Sequence, residues 1–150
     1  MKKSFIENLR CPYTMTKLIL KSNDIINNRV KTGMLISKCG SHEYPIIEYV
    51  PRFVKDDNYA SSFGWQWNIF KKTQFDSYSG LPITFNRFWK ATKWDSKIKK
   101  NEWILDAGCG SGRFAEISTN TKANVVAIDY SDAVDACYSN LGDRENILII

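Results

Sequence analysis

The chain has 150 residues, 43% of them apolar and 25% charged, with a formal net charge of +5. These proportions suit an ordinary globular chain of one domain, or one domain with a small appendage. They exclude a helical membrane span, because no run approaches the ~18 to 20 uninterrupted apolar residues that one needs.

The basic start, Met1-Lys2-Lys3-Ser4-Phe5-Ile6-Glu7, is not followed by an apolar stretch, so it does not read as a signal peptide and a cytoplasmic location is expected. Residues 1–55 alternate short apolar runs with Gly, Pro, Asn and Ser, which predicts a small β-rich module. Its strands are expected at Leu18-Ile19-Leu20, Met34-Leu35-Ile36 and Pro45-Ile46-Ile47, with turns at Asn27-Asn28 and Cys39-Gly40-Ser41. Four cysteines are present, Cys11, Cys39, Cys109 and Cys137. Without an export signal they are read as free thiols or metal ligands rather than disulfides.

Residues 56–100 form an aromatic-rich helical lead-in. Phe63, Trp67 and Phe70 are spaced to share one helical face, and Phe85, Phe88 and Trp89 repeat the pattern with Thr84 placed as the N-cap. Gly80-Leu81-Pro82 separates the two helices. The lysine groups Lys71-Lys72 and Lys97-Lys99-Lys100 are short, and read as solvated loops before they read as a nucleic-acid patch.

From residue 101 to 150 the texture becomes β/α. Trp103-Ile104-Leu105 and Val125-Val126-Ala127-Ile128 are apolar runs of the kind buried parallel strands show. A short helix is expected over residues 112–118. A second is capped by Ser131, carries Asp132 and Asp135 near its positive end, and presents Val134, Cys137, Tyr138 and Leu141 before stopping at Gly142. Ile147-Leu148-Ile149-Ile150 begins a third strand. The fold class is therefore α/β.

The chemistry lies in Leu105-Asp106-Ala107-Gly108-Cys109-Gly110-Ser111-Gly112. A strand runs into glycines at alternate positions, and these open a helix. Glycine permits the sharp turn and lets a ligand approach the backbone, with the N–H groups of the helix start facing it. Asp129 ends the second strand, where a carboxylate can accept hydrogen bonds from both hydroxyls of a ribose. Two nucleoside cofactors fit such a site. The dinucleotide fingerprint needs glycine or alanine three positions after the second glycine, and Arg113 stands there. Cys109 has no histidine near it in sequence, so it reads as a small filler, and Cys137 as core.

The spacing Asp106-x-Gly108-x-Gly110-x-Gly112, followed by Asp129, resembles the first two motifs of class I S-adenosylmethionine-dependent methyltransferases. The resemblance implies a Rossmann-like fold of which this chain carries the N-terminal part. It implies S-adenosylmethionine as cofactor, with Asp106 near its amino-acid end, Gly108, Gly110 and Gly112 around it, Asp129 on the ribose and Tyr130 beside the adenine. The stretches 59–67 and 73–80 look like the lead-in of one bacterial and archaeal methyltransferase group. Cys11-Pro12, Tyr44-Pro45-Ile46 and Val50-Pro51-Arg52-Phe53 look like the small zinc-ribbon-like module that precedes it, which is similar to an activator of tRNA and protein methyltransferases.

A full ribbon supplies two cysteines from each of two knuckles. Here Thr14 takes the second position of the knuckle begun by Cys11, and the second knuckle is Cys39-Gly40-Ser41-His42. Cys11, Cys39 and His42 remain where structural zinc uses four ligands, so well under one zinc per chain is expected. The methyl acceptor is unassigned among small molecules, lipid or glycan precursors, protein and RNA, and no catalytic residue is named. Two rivals stand beside methyl transfer: a non-catalytic adaptor docking on another protein, and a nucleotide-binding oxidoreductase. In the class I fold the first strand is central. Residues 1–150 by themselves are therefore expected to leave it an open edge, to associate or need a protein partner that completes the sheet, and to show no methyl transfer.

Overall fold

Asn27 and Asn28 both have positive φ, 49° and 61°, which a two-residue hairpin turn of the primed type demands and asparagine tolerates. In the computed structural model this turn joins β1 (Leu18–Ile26) to β2 (Arg29–Ser37). The structure describes residues 1–54, 61–94, 98 and 100–150, the side chains of 61–63 excepted. Residues 59 and 60 of the stretch 59–67, together with Lys97 and Lys99, lie outside the described residues, as does the Phe63 side chain. The chain divides into two compact units, Met1–Lys55 and Asp56–Ile150.

The first unit is an antiparallel sheet in the order β1-β2-β3-β4, with β3 at Glu43–Ile47 and β4 at Val50–Pro51. β1 and β2 are longer than their apolar runs predict. Polar residues Lys21 and Ser22 stay in register with Met34 and Gly33, because backbone pairing, not side-chain burial, carries the outer part of the hairpin. Leu18, Val30, Leu35, Tyr44, Ile46 and Val50 make the core, closed by Phe5 and Leu9 from the N-terminal segment.

The second unit begins with three helices rather than two: α1 (Ser61–Ile69), α2 (Asp76–Ser79) and α3 (Ile83–Thr92). α1 stops before Phe70, which is exposed and does not extend the expected aromatic face. Thr84 is not the cap of α3. It lies inside the helix, buried, with its hydroxyl donating to the Gln74 carbonyl at 3.1 Å. Asp76 satisfies the helix start instead: its carboxylate accepts the N–H of Thr84 at 2.9 Å and of Phe85 at 2.7 Å. A carboxylate at a helix N-terminus meets both orphan donors and the positive end of the dipole.

β5 (Trp103–Ala107), β6 (Asn124–Ile128) and β7 (Ile147–Ile149) form a parallel sheet in the order β5-β6-β7. The crossovers are α4 (Arg113–Thr119) and α5 (Ala133–Leu141). Ala115, Ile117, Val125, Ala127, Val134, Cys137, Leu141 and Leu148 are buried between them. Ser131 stands one residue ahead of the cap position of α5, which Asp132 takes, while the Ser131 hydroxyl accepts the Ala133 N–H at 3.3 Å. Among the described strands β6 is central and β5 pairs with β6 alone, and Trp103 and Leu105, which share one face of β5, are largely exposed.

Candidate nucleoside-binding site

Parallel pairing sets Asp106 beside Ala127 and Ala107 beside Ile128, so β5 and β6 end together. Asp106 and Asp129 therefore meet at one end of the sheet, the place where open α/β sheets bind ligands. The loop from Gly108 to Gly112 lies between them and is fastened to β6. The N–H groups of Gly108 and Cys109 donate to the Ile128 carbonyl at 2.8 and 2.9 Å, and that of Gly112 to the Cys109 carbonyl at 2.9 Å. The expected row of N–H groups turned toward a ligand is thus mostly spent inside the loop. Closing a turn of this tightness consumes those donors, since a buried N–H left unpaired costs free energy.

The three glycines are required for three different reasons. Gly108, at φ 78°, has open space where a side chain would begin. Gly110 lies under the Trp67 indole, whose Nε1 and Cε2 are 3.3 Å from the position of a Cβ. Gly112, at φ 99°, packs on α5, where a Cβ would come within 2.9 Å of the Cys137 Sγ and Leu141 Cδ1. The opening available to a ligand is therefore at Gly108, with Gly112 turned to the core.

The Asp129 carboxylate accepts the Gly110 N–H at 2.8 Å through Oδ2, and the Ser131 N–H and hydroxyl at 2.9 and 2.7 Å through Oδ1. An ionised carboxylate offers about four lone-pair sites, so about one, on Oδ2, is left for a hydroxyl of a ligand. Asp106 is half-buried. Burial pushes its carboxyl up from the ordinary value, a hydrogen bond from the Ala115 backbone opposes this, and the Asp129 charge adds to the rise. Its Oδ2 is buried without a hydrogen-bond partner. An orphaned acid oxygen fits a ligand that carries a cationic or N–H donor group. Tyr130 follows at the end of β6, half exposed.

Cys109 is buried, and its thiol is pushed far up by its hydrogen bond with Cys137, by burial and by Asp106 and Asp129, so it stays protonated and is no nucleophile. The sequence placed Trp67 on a helical face but gave it no part in the glycine loop, and passed over its anchors. Gly64 lets α1 touch α5, where a Cβ would lie 2.8 Å from the Asp132 nitrogen, and Asn68 Nδ2 donates to the Asp132 carbonyl at 2.9 Å. Gly64 and Asn68 at i and i+4 were the available signal.

In the first unit the two turns form, but their donors are engaged separately. The Cys11 thiol lies 3.1 Å from the Tyr44 hydroxyl, Cys39 is 2.8 Å from the Ser41 hydroxyl, and the His42 ring stacks on Tyr13 with centroids 4.7 Å apart. Among the described residues no group of three His, Cys, Asp or Glu side chains is placed to hold a metal ion. The chain matches no protein-family model, and no curated protein matches it.

Proposed function

We propose that the second unit is a Rossmann-like fold of the class I methyltransferase type, and that the protein binds S-adenosylmethionine for methyl transfer. The observation that carries this reading is the convergence of Asp106, the open backbone at Gly108 and Asp129 at the ends of two adjacent parallel strands. When bound, the cofactor supplies an electrophilic methyl group on a sulfonium, so positioning provides most of the acceleration. Asp129 accepts from a ribose hydroxyl at its remaining Oδ2 site while keeping the loop closed through Gly110. The unpartnered oxygen of Asp106 accepts from the ammonium at the amino-acid end. Gly108 admits the ligand to the backbone, and Tyr130 stands beside the adenine.

A second reading, a docking module whose partner extends the sheet, is favoured by β5 pairing only with β6 among the described residues. Titration calorimetry on the full product of the gene separates the readings. S-adenosylmethionine or S-adenosylhomocysteine is expected to bind, and Asp129→Ala to weaken binding by roughly 1.5 to 3 kcal/mol, the value of hydrogen bonds to a charged group. Retention of reduced nicotinamide dinucleotide instead, or no nucleoside binding at all, overturns the methyltransferase reading.

A further inference from the structure

A cavity of about 160 Å³ opens in the second unit, lined by residues of α2, α4, α5 and the segments beside them. It shares no residue with the glycine loop, Asp106 or Asp129. Phe75 and Leu141 give it buried apolar walls. Glu116 also lines it, on α4, only 4% exposed, and its Oε2 is buried without a hydrogen-bond partner. Asn140 adds a second orphaned acceptor. Its Nδ2 donates to the Lys71 and Ser111 carbonyls at 2.9 and 3.1 Å, which fixes the amide, while its Oδ1 is buried and unpartnered.

Two cations complete the lining. Arg144 is held in place by Nη1, which donates to the Glu116 carbonyl at 3.1 Å and to the Asn120 side-chain oxygen at 2.6 Å, and Lys72 is exposed. Buried acceptors without donors cost free energy until a donor arrives. A bare cation entering to satisfy Glu116 meets Lys72 and Arg144, and a bare anion drawn by those two meets Glu116. A molecule carrying both charges avoids both conflicts.

We propose that this recess binds a small zwitterion of the free α-amino acid class, its ammonium on Glu116 and Asn140 and its carboxylate on Lys72 and Arg144. The cavity holds the volume of about five water molecules, which suits glycine, alanine or serine. The test is a titration of the isotope-labelled chain with glycine, L-alanine and L-serine, followed by amide chemical shifts, with ammonium chloride and sodium acetate as single-charge controls. Saturable shifts at Phe75, Glu116, Asn140 and Arg144 are expected for at least one amino acid and for neither control. Glu116→Gln, which keeps the volume, and Lys72→Met, on the surface, are each expected to weaken binding by about tenfold or more. No saturable response up to about 50 mM, equal shifts with ammonium chloride, or unchanged affinity in Glu116→Gln overturns the proposal. The measurement uses no S-adenosylmethionine, so its outcome is independent of the methyl-transfer reading.

Discussion

The Asp129 carboxylate accepts the N–H of Gly110 at 2.8 Å, tying the end of β6 to the loop that follows β5. Together with its two bonds from Ser131, this makes Asp129 the clasp of the loop before any ligand arrives. Asp129→Ala is expected to speed hydrogen exchange at the Gly110 amide by about tenfold or more, since one charge-assisted bond is lost. Asp129→Asn, which keeps one acceptor oxygen, should fall between. Exchange followed by NMR reads this directly, and unchanged protection of Gly110 in Asp129→Ala contradicts the clasp.

Gly108 and Gly112 separate ligand access from packing. Gly112→Ala combines a strained backbone with a Cβ 2.9 Å from Cys137 and Leu141, and should cost about 2 to 4 kcal/mol of stability. Gly108→Ala meets open space and should cost only about 1 to 2 kcal/mol, from the positive φ. Under the proposed function it nevertheless abolishes cofactor binding. Denaturant melts and calorimetry on the same pair decide the matter.

Asp106 makes stability depend on pH. Its carboxyl is raised by burial above the ordinary value, so the folded protein holds a proton that the unfolded chain has released. Its contribution is greatest below the unfolded value of about 4 and is lost as pH rises through the raised folded value. Asp106→Asn should flatten that part of the profile. Urea titrations of both proteins across this range check the sign.

Asp76 acts in the opposite sense. Burial pushes its carboxyl up, but the N–H groups of Phe85 and Thr84 and the nearby Arg113 outweigh it, and the net shift is downward. The contribution is present above about pH 4 and is lost as pH falls through the lowered folded value. Asp76→Ala should cost about 1 kcal/mol at neutral pH by uncapping α3. Thermal melts at neutral and acid pH are expected to show the variant's deficit shrinking on acidification.

The thiols should react in a fixed order. Hydrogen bonds from Ser37 and Ser41 bring exposed Cys39 down to about 7. Burial pushes Cys11 up, yet hydrogen bonds from Thr14 and Tyr44 bring it also to about 7. Cys11 is nevertheless inaccessible, as are Cys109 and Cys137. Iodoacetamide should therefore modify Cys39 first, at a rate rising through about pH 7 as the thiolate forms. Peptide mapping by mass spectrometry checks the order, and early labelling of Cys109 contradicts it.

Local chemistry made much of this protein legible in advance. Asn27-Asn28 read as a tight turn, because asparagine tolerates positive φ and both residues adopt it. The apolar runs at 103–105 and 125–128 and most of that at 147–150 became strands, as short apolar runs bounded by turn signals do when both faces are to be buried. Asp106, the alternate glycines and Asp129 could be picked out as one group, because a strand-loop-helix connection brings such spacings to one end of a sheet. What each residue touches was decided only by tertiary contact. Asp76, eight residues upstream, displaced Thr84 as the cap of α3 because a charged acceptor serves two N–H groups at once. Trp67 covers Gly110, and Gly112 faces α5, because the approach of α1 and α5 to the loop depends on residues far apart in the chain. Glu116 and Asn140 carry no motif at all. They share a cavity because α4 and α5 pack beside the segment after α1, a juxtaposition no periodicity within one helix encodes.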